Sequence, residues 1–277
     1  MTAPLDADAL RRTLVPRPWA SLDVVAATGS TNADLLARAT GPDAAPDRTV
    51  LVAEHQDAGR GRRERVWEDR AGEGLTFSVL LRPREIAPER WGWAPLLAGL
   101  ALVEAVGRVS GVPAALKWPN DLLLGAEPAA KGAGILAEVG GGSGSDADGG
   151  RALVVGIGLN VATPVADLPA GATSLVAEGA DLDRDTVLVA VLRALADLDD
   201  RWRAAYGDVV AAGIVEDYRA RCATLGREVS VMLPGDRRLE GRAVDVDRDG
   251  RLAVRTPDGD TTVVSAGDVV HVRPTAR

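Results

Sequence analysis

Near residue 225 the hydrophobic pattern of this chain changes its period, and that change constrains the fold more than any other feature. Beyond it come five short runs, VSVML, GRAVDVD, RLAVRT, TTVVSA and VVHVR, separated by Pro, Gly and Asp turns. Short alternating runs at such spacing predict β-strands gathered into a small barrel. A unit of about 50 residues is below the usual domain size, so it is expected to lean on what precedes it. The 277 residues thus divide into a large domain, 1–224, and a small one, 225–277.

The large domain mixes helical and strand signals. Residues 1–20 carry three prolines and no sustained helical period, which allows an arm or one short helix. Residues 22–26 (LDVVA) predict a strand, and Ser30 or Thr31 then caps a helix whose apolar positions recur at helical spacing. Strands are expected at 49–53 and 74–81, and an Ala-rich core helix at 91–109 with Gly111 as its C-cap. In ALKWPNDLLL (115–124), Pro119 cannot donate to a ladder. It breaks the run into a hairpin or kink that presents Lys117, Trp118, Asn120 and Asp121. Strands at 131–139 and 151–159 flank GGGSGSDADGG, a flexible composition, and helices are expected at 185–206 and 209–222.

Charge and rare residues exclude several functions. With 32 basic and 40 acidic residues the net charge is −8, so the overall field repels DNA and a nucleic-acid partner is disfavoured. One cysteine, Cys222, and two histidines, His55 and His271, cannot assemble a disulfide framework or a zinc cluster of Cys and His ligands. No secretory pattern opens the chain and no apolar run approaches the roughly 20 residues that cross a bilayer. A cytoplasmic protein with no membrane partner is expected.

One stretch stands against this acidic background. Residues 54–67, EHQDAGRGRRERVW, set Arg60, Arg62, Arg63 and Arg65 beside Gly59 and Gly61, directly after the strand at 49–53. Guanidinium groups hold carboxylates and phosphates through paired hydrogen bonds, and glycine lets a backbone approach closely, so an anion is the expected guest. Taken alone, the cluster reads equally well as a solvated basic loop. No G-x-x-x-x-G-K-[ST] occurs, and the loop reads G-x-G-x-x-E, with Glu64 where a dinucleotide fingerprint needs glycine. A phosphate would then be held by the side chains of Arg60, Arg62 and Arg65, on a loop able to fold over it.

Five segments in order complete the pattern: GSTN (29–32), GRGR (59–62) with Arg65 and Trp67, KWPND (117–121), KGAGIL (131–136) and GIGLN (156–160). Together they resemble the biotin protein ligase family. The resemblance implies an α+β fold: a mixed-sheet catalytic domain related to class II aminoacyl-tRNA synthetases, followed by an SH3-like C-terminal barrel. It implies a two-step reaction in which biotin and Mg-ATP give biotinyl-5′-AMP and pyrophosphate, and the adenylate acylates a lysine of a biotin carboxyl carrier domain.

Residue by residue, the family pattern assigns Ser30, Thr31, Asn32 and Gln56 to the ureido ring of biotin. Arg60, Gly61 and Arg62 belong to a loop over the carboxylate, and Lys131 lies against the carboxylate and α-phosphate, where an ammonium stabilises developing charge. Arg65, Trp67, Asn120 and Asn160 fall on the ATP side, although Trp67 and Trp118 also read as core aromatics. Asp121 is read as orienting or deprotonating the acceptor lysine, as organising Mg2+, or as a turn cap. The magnesium ligands stay unassigned, and a homodimer is left open.

Two departures from the family pattern stand out. Glu64 replaces a glycine in the arginine loop, and an N-terminal winged helix is missing, which removes operator binding from expectation. Two other readings remain: a lipoate or octanoate ligase on the same fold, and a non-catalytic biotin-sensing regulator.

Overall fold

The computed structural model describes residues 3–40, 43–62, 65–68, 70–127, 129–141, 151–233, 237–265 and 268–271. Arg63, Glu64 and most of the glycine-rich stretch, 142–150, lie outside the described residues, and with them the expectations drawn on Glu64 and on that stretch.

The N-terminal arm is a short amphipathic helix, α1 (Ala7–Leu14), capped by Asp6, whose carboxylate accepts from Ala9 N at 2.9 Å. Its Leu10 and Leu14 are buried. Strand β1 (Ser21–Val25), helix α2 (Thr31–Ala37) and strand β2 (Thr49–Ala53) then form a parallel β-α-β unit. Strands β3 (Gly74–Leu81), β4 (Ala114–Lys117), β5 (Asp121–Leu124), β6 (Ala130–Gly140) and β7 (Ala152–Asn160) add antiparallel pairs. The result is a mixed seven-stranded sheet in the order β1-β2-β3-β7-β6-β5-β4. The KWPND hairpin forms as expected, with Lys117 opposite Asp121.

Helix α3 (Ala94–Ser110) ends at Gly111, whose φ of 68° suits a residue without a Cβ. It packs beside α4 (Arg184–Ala204), capped by Asp183, and the two helices bury their apolar sides against one sheet face. A 3-10 turn at Pro88–Trp93 precedes α3, so the helical stretch Pro88–Ser110 is 23 residues and apolar enough to match a bilayer span in length. That corrects the expectation that no apolar run approaches the length of a bilayer crossing: Pro88 and Pro95 each stand in the first turn of a helical segment, where proline is accepted, so the two segments run on as one stretch. In the fold 67% of its apolar window is buried inside the protein, the packing of a core helix. The helix expected at 209–222 is shorter than the pattern suggested: α5 spans Ile214–Arg221. Asp208 accepts from Val210 N and Ala211 N, and Gly213 sits at φ 68°, which turns the chain before α5 starts.

The small domain has its five expected strands, β8 (Glu228–Met232), β9 (Arg238–Val246), β10 (Leu252–Arg255), β11 (Thr261–Val264) and β12 (Asp268–His271). They make one antiparallel sheet in the order β11-β10-β9-β8-β12. It leans on the first domain through two buried indoles: Trp118 Nε1 donates to Gly250 O at 2.9 Å and Trp93 Nε1 to Arg248 O at 2.8 Å. Thr224 Oγ1 accepts from Trp118 N at 3.0 Å and lies 3.0 Å from His271 Nε2.

Candidate active site

The GSTN segment sits where β1 gives way to α2. Ser30 is the N-cap, accepting from Ala33 N at 3.4 Å, so the sequence-level cap and the polar-ligand reading fall on the same residue. Thr31 N donates to Gln56 Oε1 at 2.8 Å, and Thr31 Oγ1 lies 3.1 Å from the same oxygen. Ser78 Oγ on β3 lies 2.7 Å from Thr31 Oγ1 and 2.6 Å from Asn32 Oδ1. Three short oxygen contacts therefore share two hydroxyl hydrogens in this buried cluster.

Glycines make the floor. On β7 a Cβ at Gly156 would stand 2.2 Å from Asn32 Oδ1, and one at Gly158 would stand 2.2 Å from the indole of Trp67. Gly134 on β6 pairs with Gly158 and would meet the same indole at 3.1 Å. No side chain larger than hydrogen lets Trp67 lie on the sheet. Of the two aromatics with alternative readings, Trp67 is half-buried and lies in the cavity, with Lys131 Nζ 5.8 Å from its ring centroid. Trp118 is fully buried and walls the cavity while holding the small domain.

The arginine loop folds back on itself: Trp67 N donates to Gly59 O at 3.0 Å, Gly61 N to Arg65 O at 2.6 Å, and Arg60 bridges to Val66. Side chains then carry it onto the sheet. Arg60 pairs with Glu138 at 3.3 Å, and Arg62 Nη1 donates to Asn120 Oδ1 at 3.2 Å. Asn120 in turn donates to Ile135 O at 3.1 Å. Lys131 Nζ lies 2.7 Å from Asp121 Oδ1, an ion-pair contact in which that oxygen has no aligned hydrogen bond.

These groups enclose a cavity of about 220 Å3. Among the described lining residues, Arg60, Arg62, Arg65, Lys117 and Lys131 face a single carboxylate, Asp121, in a chain whose net charge is −8. The positive charge is concentrated where an anion enters. Asp121 is already committed to Lys131, and among the described residues no group of three or more His, Cys, Asp or Glu side chains forms a cation site. That donor set suits magnesium carried by substrate phosphates and water, with Asp121 the one lining carboxylate able to help.

Every site residue named from the sequence lines this cavity except Asn160. Asn160 ends β7 on the glycine-bearing face, but its amide donates to Thr173 O at 3.0 Å. Thr173 N donates to Lys131 O and Lys131 N to Gly171 O, so Asn160 braces the start of β6. Sequence reasoning missed Ser78, Glu138 and the β12 residues Val269 and Val270, which come from the small domain to the rim. The alternating glycines of KGAGIL and GIGLN were the available signal for the floor. Nothing local in β12 marked it.

The chain matches the Biotin/lipoate A/B protein ligase family over residues 25–160 and the Biotin protein ligase C terminal domain over residues 224–272. The biotin--[acetyl-CoA-carboxylase] ligase of Mycobacterium tuberculosis is 44% identical over 277 residues, covering 98% of this chain and 97% of that protein. The enzyme of the same name from Paracoccus denitrificans is 35% identical, covering 88% of this chain and 98% of its own length. Among solved structures, the biotin protein ligase from Aquifex aeolicus in complex with biotin and ATP aligns with a TM-score of 0.71 at 29% identity, covering 91% of this chain and 99% of that one. Fold, motif order and the cationic glycine-floored cavity agree with these similarities: the chain belongs to the biotin protein ligase family.

Proposed function

We propose that this cavity activates biotin with ATP and delivers it to a lysine of a biotin carboxyl carrier domain of a carboxylase, acting in the cytoplasm. In this reading residues 1–224 make the catalytic unit and 225–277 an appended wall. The observation that carries it is the excess of five cations over one carboxylate above a floor flat enough for an aromatic ring.

Biotin's ureido ring lies at the polar groups of Thr31, Asn32, Gln56 and Ser78, where its N–H groups meet oxygen acceptors. Its carboxylate then lies toward Arg60, Arg62 and Lys131. In the first step a carboxylate oxygen bonds to the α-phosphorus while the bond from that phosphorus to the bridging oxygen breaks, releasing pyrophosphate. Lys131 and Arg62 offset the charge that gathers on the α-phosphoryl oxygens, and cations already held in position do so with little reorganisation. Asp121 holds the Lys131 ammonium in place. Trp67, beside Lys131, is placed to stack on adenine, with Asn120 and Arg65 on the nucleotide side. Magnesium, when bound with ATP, neutralises phosphate charge. In the second step a neutral lysine amine bonds to the acyl carbon, AMP leaves, and the amine gives up a proton.

The test is to supply labelled biotin or labelled lipoate with ATP and a carrier domain. Biotin is expected to release pyrophosphate and enter protein. Incorporation of lipoate alone would reassign the acyl group, and no pyrophosphate from either acid would leave only a biotin-sensing role.

A further inference from the structure

Glu138, on β6, makes two contacts through one oxygen. Its Oε2 accepts from Asn32 Nδ2 at 2.8 Å and from Arg60 Nη2 at 3.3 Å. Asn32 belongs to the start of α2 and Arg60 to the arginine loop, so one carboxylate joins the wall assigned to the ureido ring to the loop assigned to the carboxylate and phosphate. The Asn32 side is fixed from three directions: its amide nitrogen also donates to Leu136 O at 3.1 Å, its oxygen meets Ser78, and it lies over Gly156. The Arg60 side is looser, with 48% of that side chain exposed against 27% for Glu138. A well-anchored carboxylate and a more exposed partner make a latch, with the strength and salt sensitivity of a rim ion pair.

We propose that Glu138 is a positioning residue that holds the arginine loop down and so sets how long the adenylate stays in the cavity. The adenylate half of this rests on the function proposed above; the loop half does not. Glu138→Gln keeps an oxygen for Asn32 and removes the charge that attracts Arg60.

Two rates read the latch on the full chain: trypsin cleavage at the arginine loop without substrates, and loss of labelled biotinyl-AMP after formation from biotin and ATP. In the variant both are expected to rise about two- to fivefold, the span of a partly exposed ion pair. Melting should be unchanged, because Gln keeps an acceptor for Asn32. Added salt should speed cleavage of the wild type toward the variant's rate and leave the variant nearly unaffected.

Unchanged cleavage, or faster cleavage with unchanged adenylate loss, overturns the proposal. A fall in melting temperature that accounts for both rates overturns it too. If the wild type makes no adenylate, the functional reading fails while the cleavage ratio still decides the latch. Should E138Q not fold, Glu138→Asp, which keeps the charge but shortens the reach, is expected to show the same two accelerations.

Discussion

The two faces of the seven-stranded sheet are built from the same strands and behave as different materials. On β7, Leu153, Val155, Ile157 and Leu159 enter the main core under α3 and α4, while the intervening Gly156 and Gly158 floor the cavity. On β3, Leu75, Phe77, Val79 and Leu81 enter that core, while Thr76 and Ser78 face the site and Leu80 a small cluster under α2. On β6, Ala133 and Ile135 alternate with Gly134, Leu136 and Glu138. Successive strand residues point to opposite faces, so residue parity separates stability from chemistry. The dry face holds the strands rigid, and the open face gives up side-chain volume to admit a ligand.

Substitutions of opposite parity should therefore fail in opposite ways. The largest effect is expected from Phe77→Ala on the dry face, which should cost about 3–5 kcal/mol of stability, read by denaturant melts. Where the variant stays folded, substrate affinities should be retained; a changed KM at native stability would break the separation. Next is Lys131→Ala on the open face. Its adenylate formation should drop roughly 10²- to 10³-fold, measured by pyrophosphate release, with little change in melting. Asp121→Asn should slow adenylate formation and transfer together, because it frees Lys131; loss of transfer alone would instead mark Asp121 as serving the acceptor lysine.

Gly158→Ala probes the floor itself. Its methyl would stand 2.2 Å from the Trp67 indole, so the ring must leave the sheet. The KM for ATP is expected to rise about tenfold with a stability loss of about 1–3 kcal/mol or less; an unchanged KM would remove Trp67 from the nucleotide side.

The smallest effect lies at the seam with the small domain. Burial, with Lys117 and Arg227 nearby and Glu127 opposing, lowers the His271 pKa from 6.5 to about 4. Between those values the unfolded chain takes up a proton that the folded chain refuses, so stability falls as pH drops from 6.5 toward 4 and is unaffected above that window. His271→Gln should flatten the melting-temperature slope there relative to wild type, and an unaltered slope would free His271 from that role.

Much of this was legible in the residues. The strands at 49–53 and 74–81 have the expected bounds, because unbroken β-formers between polar turns leave few alternatives. A cap at Ser30 or Thr31 (Ser30 in the structure), Gly111 as a helix end and Pro119 as a strand breaker followed from local backbone chemistry. GLTFSVLL gave no hint of which face was open, since a strand buried on both sides reads as a continuous run. Arg60 meeting Glu138 across 78 residues, and β12 reaching the rim, are products of tertiary topology that no local pattern encodes. Asn160 shows the converse: a motif position fixes the backbone, while the side chain's partner, Thr173, is chosen by a loop outside the motif.

The most direct measurement is a crystal structure of this protein with a non-hydrolysable biotinyl-5′-AMP analogue. The expected result is the analogue lying on the open face with its adenine on the Trp67 indole, which itself rests on Gly134 and Gly158, its phosphate within hydrogen-bond reach of Lys131 and Arg62 and its ureido ring at Thr31, Asn32 and Gln56. An analogue bound elsewhere, with Lys131 still held only by Asp121 and the Trp67 indole unstacked, would contradict the division of the sheet into a structural face and a chemical one.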